Sequence, residues 1–416
     1  MKVAVIGGGI SGLSAAWYLA KQAGTEVTLF EANDYIGGHT DTHTLDILGK
    51  PWAVDSGFIV FNRHNYPNFC QLLEELEVAS LPTTMSFSVH NAETGLEYNA
   101  TSLNKLFCQR RNLFNPRFYR MLTDLLRFYR QAPALLEDNN NKQTLADYLE
   151  VNHYSDIFIH DHLIPMACAL WSGPGKQLLQ MPARFLVAFM ANHKMLSLAG
   201  RPEWRVVKGG SRQYVDKLLE RFPGKVLVNT PVESVRRVYN GVSLTVAGEQ
   251  WPFDAVVMAC HSDQALKLLS DPSEQESAVL GGIEYQQNLM QLHADESVLP
   301  DNPDAWASWN VHISSALEQR CTVSYHMNTL QRLNAPVELI VSLNSRDRVD
   351  ANKVFAEREY AHPVFSEQTL DSQQRWQTIS GHQHTYYCGA YWGWGFHEDG
   401  VNSALKVLEQ LSGGGQ

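Results

Sequence analysis

Residues 1–31 restrict the fold more than any other stretch of the chain. Lys2-Val3-Ala4-Val5-Ile6 is an apolar run with the length of one buried parallel strand. It leads into Gly7-Gly8-Gly9-Ile10-Ser11-Gly12, which fits G-x-G-x-x-G through Gly7, Gly9 and Gly12. Leu13 to Ala20 supplies helix formers with small residues toward a sheet, Glu26 to Phe30 makes a second strand, and Glu31 stands at its end. Each part has a physical role. Gly7 permits the tight turn, Gly9 lets backbone approach a pyrophosphate, and Gly12 lets the helix pack close to the strand. The helix N-terminus offers unpaired N–H groups and the positive end of its dipole to phosphates. Glu31, nineteen residues past Gly12, is placed to accept hydrogen bonds from an adenosine ribose and would repel a 2′-phosphate. The pattern therefore predicts FAD or NAD rather than NADP.

At 416 residues the chain is too long for one simple core and suggests two domains. Its 44% hydrophobic and 19% charged content is that of a globular protein, and no apolar run approaches the ~20 residues that span a bilayer. The N-terminal apolar run stops at three glycines without a cleavage site, so it reads as strand rather than signal peptide, and a cytoplasmic location is expected. Six cysteines are scattered without a C-x-x-C, which argues against a disulfide framework or a thiolate metal site. The net charge of −11 argues against a nucleic-acid partner. His160-x-His162 and His382-x-His384 lack a third ligand at recognisable spacing, so no metal is expected. There is no internal repeat, and the low-complexity runs are Asn139-Asn140-Asn141 and Gly413-Gly414-Gly415.

A second glycine pair follows the acid, in Ala32-Asn33-Asp34-Tyr35-Ile36-Gly37-Gly38-His39-Thr40. With it the opening resembles the FAD enzymes grouped as flavin-containing amine oxidases, protoporphyrinogen oxidases and phytoene desaturases. In that superfamily the acid is followed by a Gly-Gly-Arg-x-x-Thr turn along the FAD; here Gly37 and Gly38 match, and His39 replaces the arginine. Val54 to Asn62 is similar to the superfamily's Asp-x-Gly turn near the flavin, with Gly57 as the backbone approach point; a β-bulge or ligand-free tight turn is the other reading. Arg201 to Ser211 and the helix Gln213–Arg221 resemble the segment that returns the chain to the FAD domain. Val232 matches a valine whose backbone meets the adenine, and Ala255 to Cys260 matches a strand ending beside the cofactor, with His261 just beyond. The end of the chain, Tyr386 to Tyr391, then Trp392 to Gly400, then a helix Val401–Leu411, resembles the closing strand-turn-helix that caps FAD; an acid such as Asp399 suits the positive helix end. Ala390-Tyr391 stands where amine oxidases usually have Thr-Glu, and no cysteine occupies the position of covalent attachment, which implies non-covalent FAD.

The resemblance implies an α/β fold: a Rossmann-type (GR2-like) FAD-binding domain from 1–62, 205–262 and 382–416, interleaved with an α+β substrate domain from 63–204 and 263–381 that contains a mixed sheet. Expected strands in the latter include 305–310, 321–327 and 338–343. It implies cofactor contacts at Gly7, Gly9, Ser11, Gly12, Glu31, Gly37, Gly38, His39, Thr40, Gly57, Phe58, Val232, Gly389, Glu398, Asp399 and Gly400. Trp392, Trp394 and Phe396, then Trp171 and Trp204, are candidate substrate-facing walls, with aromatic packing as the alternative. His39 and His261 are the candidates for proton movement. Val54–Asn62, Ala169–Ser172, Arg201–Ser211, Ala259–Asp263 and Gly395–Gly400 look closer to a bacterial subgroup of FAD-binding oxidoreductases. That subgroup is commonly encoded near cyclopropane fatty-acid synthase-like methyltransferases. The association implies a functional link to such an enzyme and a fatty-acyl or phospholipid substrate, oxidised by hydride removal from a C–H bond. A flavin-dependent amine oxidase and a non-redox flavoprotein are the rival readings.

Residues 105–131 carry Lys105, Arg110, Arg111, Arg117, Arg120, Arg127 and Arg130 against one acid, Asp124. Phe114, Phe118, Met121, Leu122, Leu125, Leu126 and Tyr129 follow helical spacing as one apolar stripe, with Arg117, Arg120, Arg127 and Arg130 on the opposite face. Such a stretch either lies on an anionic membrane, here its cytoplasmic face, or is a surface helix with its stripe in the core.

Overall fold

A computed structural model describes residues 1–138, 142–315 and 320–413. The Asn139–Asn141 run and Gly414 and Gly415 lie outside the described residues. Alternating apolar strands and helices build a five-stranded parallel sheet in the order Lys225–Leu227, Glu26–Phe30, Lys2–Ile6, Ala255–Met258, Thr385–Tyr387. Lys2–Ile6 lies at its centre, and side-chain alternation sends Val3 and Val5 to one face and Ala4 and Ile6 to the other. Both faces are covered, which is why the strand is apolar throughout. On one side lie the first helix (Ile10–Ala20), Arg212–Arg221 and the last helix (His397–Gly413). On the other lies the antiparallel sheet Val232–Val238, Gly241–Val246, Glu249–Phe253. Burying the Val, Leu and Ile side chains of this core contributes roughly 1.5–3 kcal/mol each.

The second large sheet has seven strands, in the order Val354–Pro363, Tyr285–His293, Ile340–Leu343, Arg320–His326, Trp309–Ser315, Phe87–Asn91, Leu96–Asn99. It is a mixed sheet: Trp309–Ser315 runs parallel to Phe87–Asn91, and the other pairings are antiparallel. Helices Pro116–Gln131, Leu145–Val151, Ile164–Trp171 and Ala183–Asn192 pack over it around Phe118, Phe128, Phe158 and Leu186. The strand expected from Ala305 begins only at Trp309. Pro303–Ala305 instead forms a 3-10 turn, started by the Asn302 side chain accepting the Asp304 N–H.

The apolar stripe of 105–131 is also corrected. Pro116–Gln131 buries Phe118, Met121, Asp124 and Phe128, while Phe114 lies before the helix and is exposed, as is Leu126. Asp124 sits within the buried face because Arg120 and Arg127 both reach it and the Ser155 N–H donates to it. Arg127 is thereby turned inward, donating to the Asn152 and His153 carbonyls and lying over the Tyr154 ring. It does not belong to the outward basic face. No described helix is long and apolar enough to cross a membrane.

Candidate functional site

Three glycine turns meet at the N-terminus of the first helix. The Gly37 N–H donates to the Gly8 carbonyl at 2.9 Å, so the second turn runs beside the first, and Gly38 packs on Gly9. Gly400, at the start of the last helix, lies against Ile10 and Ser11. A Cβ on Gly12 would overlap the Gly7 carbonyl oxygen, whereas one on Gly9 would meet no protein atom within 4 Å. The first helix has no side-chain cap and no acid in its first turn, so its N-terminal partial positive charge is left for an external anion. Glu31 is buried at the end of its strand. One oxygen accepts the Gly8 N–H at 2.7 Å and the other accepts the backbone and side-chain N–H of Asn33. Val232 is buried in the core below Phe30.

Beyond the glycines the cleft is lined by rings. His39 and His261 come together, their ring centres 6.2 Å apart. The structure adds His362 at 5.2 Å and Tyr360 at 4.8 Å from His39, and Tyr285 stacked 4.6 Å from His261. These three come from Tyr285–His293 and Val354–Pro363, neighbouring strands at one edge of the large sheet. The spacing Tyr360-x-His362 puts both on one strand face, but nothing local in the sequence ties that strand to His39. Burial holds all three imidazoles neutral: His39 falls well below its ordinary value, His261 is lowered, and His362 is pushed down to about 4. His39 Nε2, the Tyr391 hydroxyl and Trp392 Nε1 are buried with no hydrogen-bond partner, and Tyr391 meets Tyr285 edge-on. The open face at Gly9, the uncapped helix and these unpartnered polar atoms fit a long dinucleotide with a phosphate bridge and a polar ring system.

Several implied contact residues are engaged elsewhere. Glu398 accepts the backbone N–H groups of Asn68 and Phe69 at 3.0 and 2.9 Å and the Asn68 side chain. It caps the helix Pro67–Glu75, and its carboxylate is turned away from the glycine turns. Asp399 accepts the Phe396 N–H at 2.9 Å and lies against Gly393, closing the turn before the last helix; burial pushes it up to about 7. A Cβ on Gly57 would strike the His39 carbonyl, so this glycine permits close packing of two turns on each other. Gly389 lies under the Tyr391 ring and donates to Ser403 Oγ at 2.9 Å. The Thr40 hydroxyl, the Tyr214 hydroxyl and His397 Nε2 form a buried three-way hydrogen-bond cluster, and Phe58 stacks on His397 at 3.5 Å. That cluster joins the second turn, the helix Arg212–Arg221 and the last helix. Asp55 adds a further tie: Thr42, the Ser211 N–H and hydroxyl, and Gln331 all donate to it, while burial pushes it up to about 6. The sequence offered Asp55 only as part of a turn, and Tyr214 and Gln331 gave no signal at all.

The aromatic candidates divide. Trp171 lines a small cavity of about 20 Å³, with Leu178, Met181, Gln286, His362 and Phe365, and no Asp, Glu, Lys or Arg borders it. Trp394 and Phe396 line a larger cavity of about 290 Å³ that also presents His64, His193, Glu398 and Asp399. Trp171 donates its indole N–H to the Trp394 carbonyl, and Phe189 touches Trp171, Trp394 and Phe396, so an aromatic partition separates the two spaces. Trp204 stacks on His193 and Trp392 packs on Tyr391; neither borders these two cavities. Of the histidine pairs, His162 Nδ1 is hydrogen-bonded with the Tyr98 hydroxyl, and His382 and His384 are exposed. His90, Glu97 and Asp301 do bring ligand atoms within 4.8 Å of one another. Glu97 there accepts the N–H groups of Asp301 and Asn302, which accounts for its burial without an ion.

The model of the flavin containing amine oxidoreductase family matches residues 10–289. The chain belongs to that family, and is a flavin-dependent oxidoreductase of the amine oxidase type. A stretch of 104 residues, 25% of the chain, is 38% identical to a tryptophan 2-monooxygenase of Allorhizobium ampelinum, and the match spans 14% of that protein. Cyclohexylamine oxidase from Brevibacterium oxydans superposes with a TM-score of 0.69 at 15% identity, over 99% of each chain. A fatty acid isomerase from P. acnes that produces CLA superposes with a TM-score of 0.69 at 16% identity, over 98% of each chain. At these identities the two likenesses are of fold.

Proposed function

We propose that the protein binds FAD non-covalently and removes a hydride from a C–H bond of a hydrophobic substrate, of the fatty-acyl or phospholipid class. In this reading 1–62, 205–262 and 382–416 form the FAD-binding unit. The backbone of Gly7–Gly12 and the first helix would hold the pyrophosphate, Glu31 the ribose, and the Gly37-Gly38 and Gly389–Gly400 turns the remainder. Bound there, FAD would supply an acceptor for one hydride, that is two electrons and a proton, and would be reoxidised by oxygen, a quinone or another carrier. Non-covalent binding is supported by Cys388, whose thiol is fully buried and pushed up by burial, leaving no reactive thiolate at the closing turn.

The observation that favours the substrate class is the uncharged apolar wall beside His362, made by Trp171, Leu178, Met181 and Phe365. The space it encloses, about 20 Å³, has room for one water, so an acyl chain enters only where these side chains move apart. His362, neutral there, is held by the Asn288 side chain at 2.7 Å. Apolar walls exclude water from a reacting C–H bond, and His39, His261 and His362 are the nearby acceptors for the proton left behind, their basicity lowered by burial. The resemblance of Val54–Asn62, Ala169–Ser172 and Gly395–Gly400 to a subgroup commonly encoded near cyclopropane fatty-acid synthase-like enzymes favours the same class. The amine oxidase reading draws on the larger cavity, where Asp399 and Glu398 stand beside Trp394 and Phe396 as groups able to hold an alkylammonium.

Anaerobic mixing of the purified flavoprotein with fractionated phospholipids, and separately with polyamines and aryl amines, tests the choice. The proposal expects flavin bleaching by a lipid fraction. Bleaching by amines alone selects the other reading, and substrate conversion with no net oxidation selects a non-redox flavoprotein.

A further inference from the structure

The segment 103–130 leaves apolar side chains in solvent that its own core does not use. Phe114 is 88% exposed, Leu103 76% and Leu126 52%, while Phe107, Phe118 and Phe128 face inward around the same helix. Leu113 and Tyr119 are exposed beside them, locked together because the Tyr119 hydroxyl donates to the Leu113 carbonyl at 3.0 Å. Along Pro116–Gln131, Tyr119, Thr123, Leu126 and Arg130 share one outward face, spaced three or four apart. Single exposed apolar side chains are ordinary, as Leu48 and Tyr239 are elsewhere on the chain; what distinguishes this segment is that Leu103, Leu113, Phe114, Tyr119 and Leu126 are all exposed within 24 residues.

The charge around these side chains is one-signed. Asp124, the sole acid of the stretch, is buried and consumed by Arg120 and Arg127. Among the described residues, Lys105, Arg110, Arg111, Arg117 and Arg130 have no ion pair with a carboxylate. Several are instead aimed by backbone: Arg110 donates to the Phe107 carbonyl and Arg111 to the Gly95 carbonyl. These five cations without a carboxylate partner, on a chain of net charge −11, make a local positive field that attracts an anionic sheet and is screened by salt.

We propose that Leu103, Leu113, Phe114 and Tyr119, with Lys105, Arg110, Arg117 and Arg130 of the same segment, form a docking surface for an anionic lipid bilayer. The apolar tips would enter the head-group region while the cations meet lipid phosphates. Arg127 has no part in it, being turned into the fold. The inference rests on this surface alone and stands or falls separately from the identity of the substrate.

Co-sedimentation of the flavin-loaded protein with vesicles tests it, comparing phosphatidylcholine alone with phosphatidylcholine containing phosphatidylglycerol. Binding is expected only to the anionic vesicles and is expected to vanish as salt rises from about 0.1 to 1 M. Replacing Lys105, Arg117 and Arg130 together by Gln should weaken it about a hundredfold, at roughly 1 kcal/mol per cation. Leu113→Ser with Phe114→Ser should weaken it tenfold or more. Both variants should keep the bound-flavin spectrum, and Leu48→Asn, at another exposed leucine, should change nothing. No sedimentation, equal binding to neutral vesicles, or insensitivity to salt overturns the proposal. So does a Phe114→Ser variant that binds vesicles normally but loses self-association, which would assign the surface to a second copy of the chain.

Discussion

The sharpest perturbation is one substitution made at two glycines three residues apart. A Cβ on Gly9 meets no protein atom within 4 Å, and the Gly9 backbone (φ −75°, ψ −179°) is one that alanine adopts freely. Gly9→Ala should therefore leave the flavin-free protein as stable as the wild type, or more stable by about 0.4–1 kcal/mol through a less flexible unfolded chain. The same methyl stands where the pyrophosphate must approach the helix N-terminus. Losing one or two charge-assisted hydrogen bonds there, at about 1.5–3 kcal/mol each, weakens FAD by roughly a hundredfold or more. Gly12→Ala has the opposite signature. Its methyl overlaps the Gly7 carbonyl, so helix and strand must separate, at a cost of about 1–3 kcal/mol or more before any ligand is added. Urea unfolding of the flavin-stripped proteins by tryptophan fluorescence, followed by FAD titration, reads both effects. A Gly9→Ala protein that binds FAD like the wild type would refute the placement of the dinucleotide at this turn.

Other expectations concern the two acids of the closing turn. Glu398→Gln presents an amide N–H₂ to donors that now meet a carboxylate, and should destabilise the protein by about 1–3 kcal/mol in urea unfolding; an unchanged midpoint would remove its capping role. Asp399 is raised to about 7 by burial, so the folded protein holds its proton more tightly than the unfolded chain does. Its contribution to stability is greatest below about pH 4 and declines as pH rises through 7. Melting temperatures across that window should show the decline in the wild type and a flatter profile in Asp399→Asn, and identical profiles would exclude it.

Local features of the fold were legible because their physics is local. The apolar strand, the glycine turn and the acid at Glu31 lie within one βαβ unit and appear where the pattern places them. The mixed sheet was legible as a type, yet its pairing of Trp309–Ser315 with Phe87–Asn91 joins residues more than two hundred positions apart, which periodicity cannot specify. The site shows the same division. Glycines could be read from spacing, but Tyr285, Tyr360 and His362 reach His39 only through the register of a distant sheet edge. Glu398 and Asp399 could be placed at a helix start, while the groups that claim their carboxylates, Asn68, Phe69 and Phe396, depend on how the turns pack. Periodicity also misassigned Phe114 and Leu126 to a buried stripe: Phe114 ends the turn Arg110–Phe114 before the helix starts at Pro116, and within the helix the inner face includes Asp124, held by Arg120 and Arg127, while Leu126 faces out.

The central claim is that these glycine turns together hold one flavin dinucleotide. The direct measurement is the absorption spectrum of the purified protein, repeated on the supernatant after acid or heat precipitation. The account predicts a flavin spectrum with one FAD per chain, all of it released to the supernatant. A colourless protein that takes up no added FAD would contradict the site, and flavin retained in the precipitate would contradict its non-covalent hold.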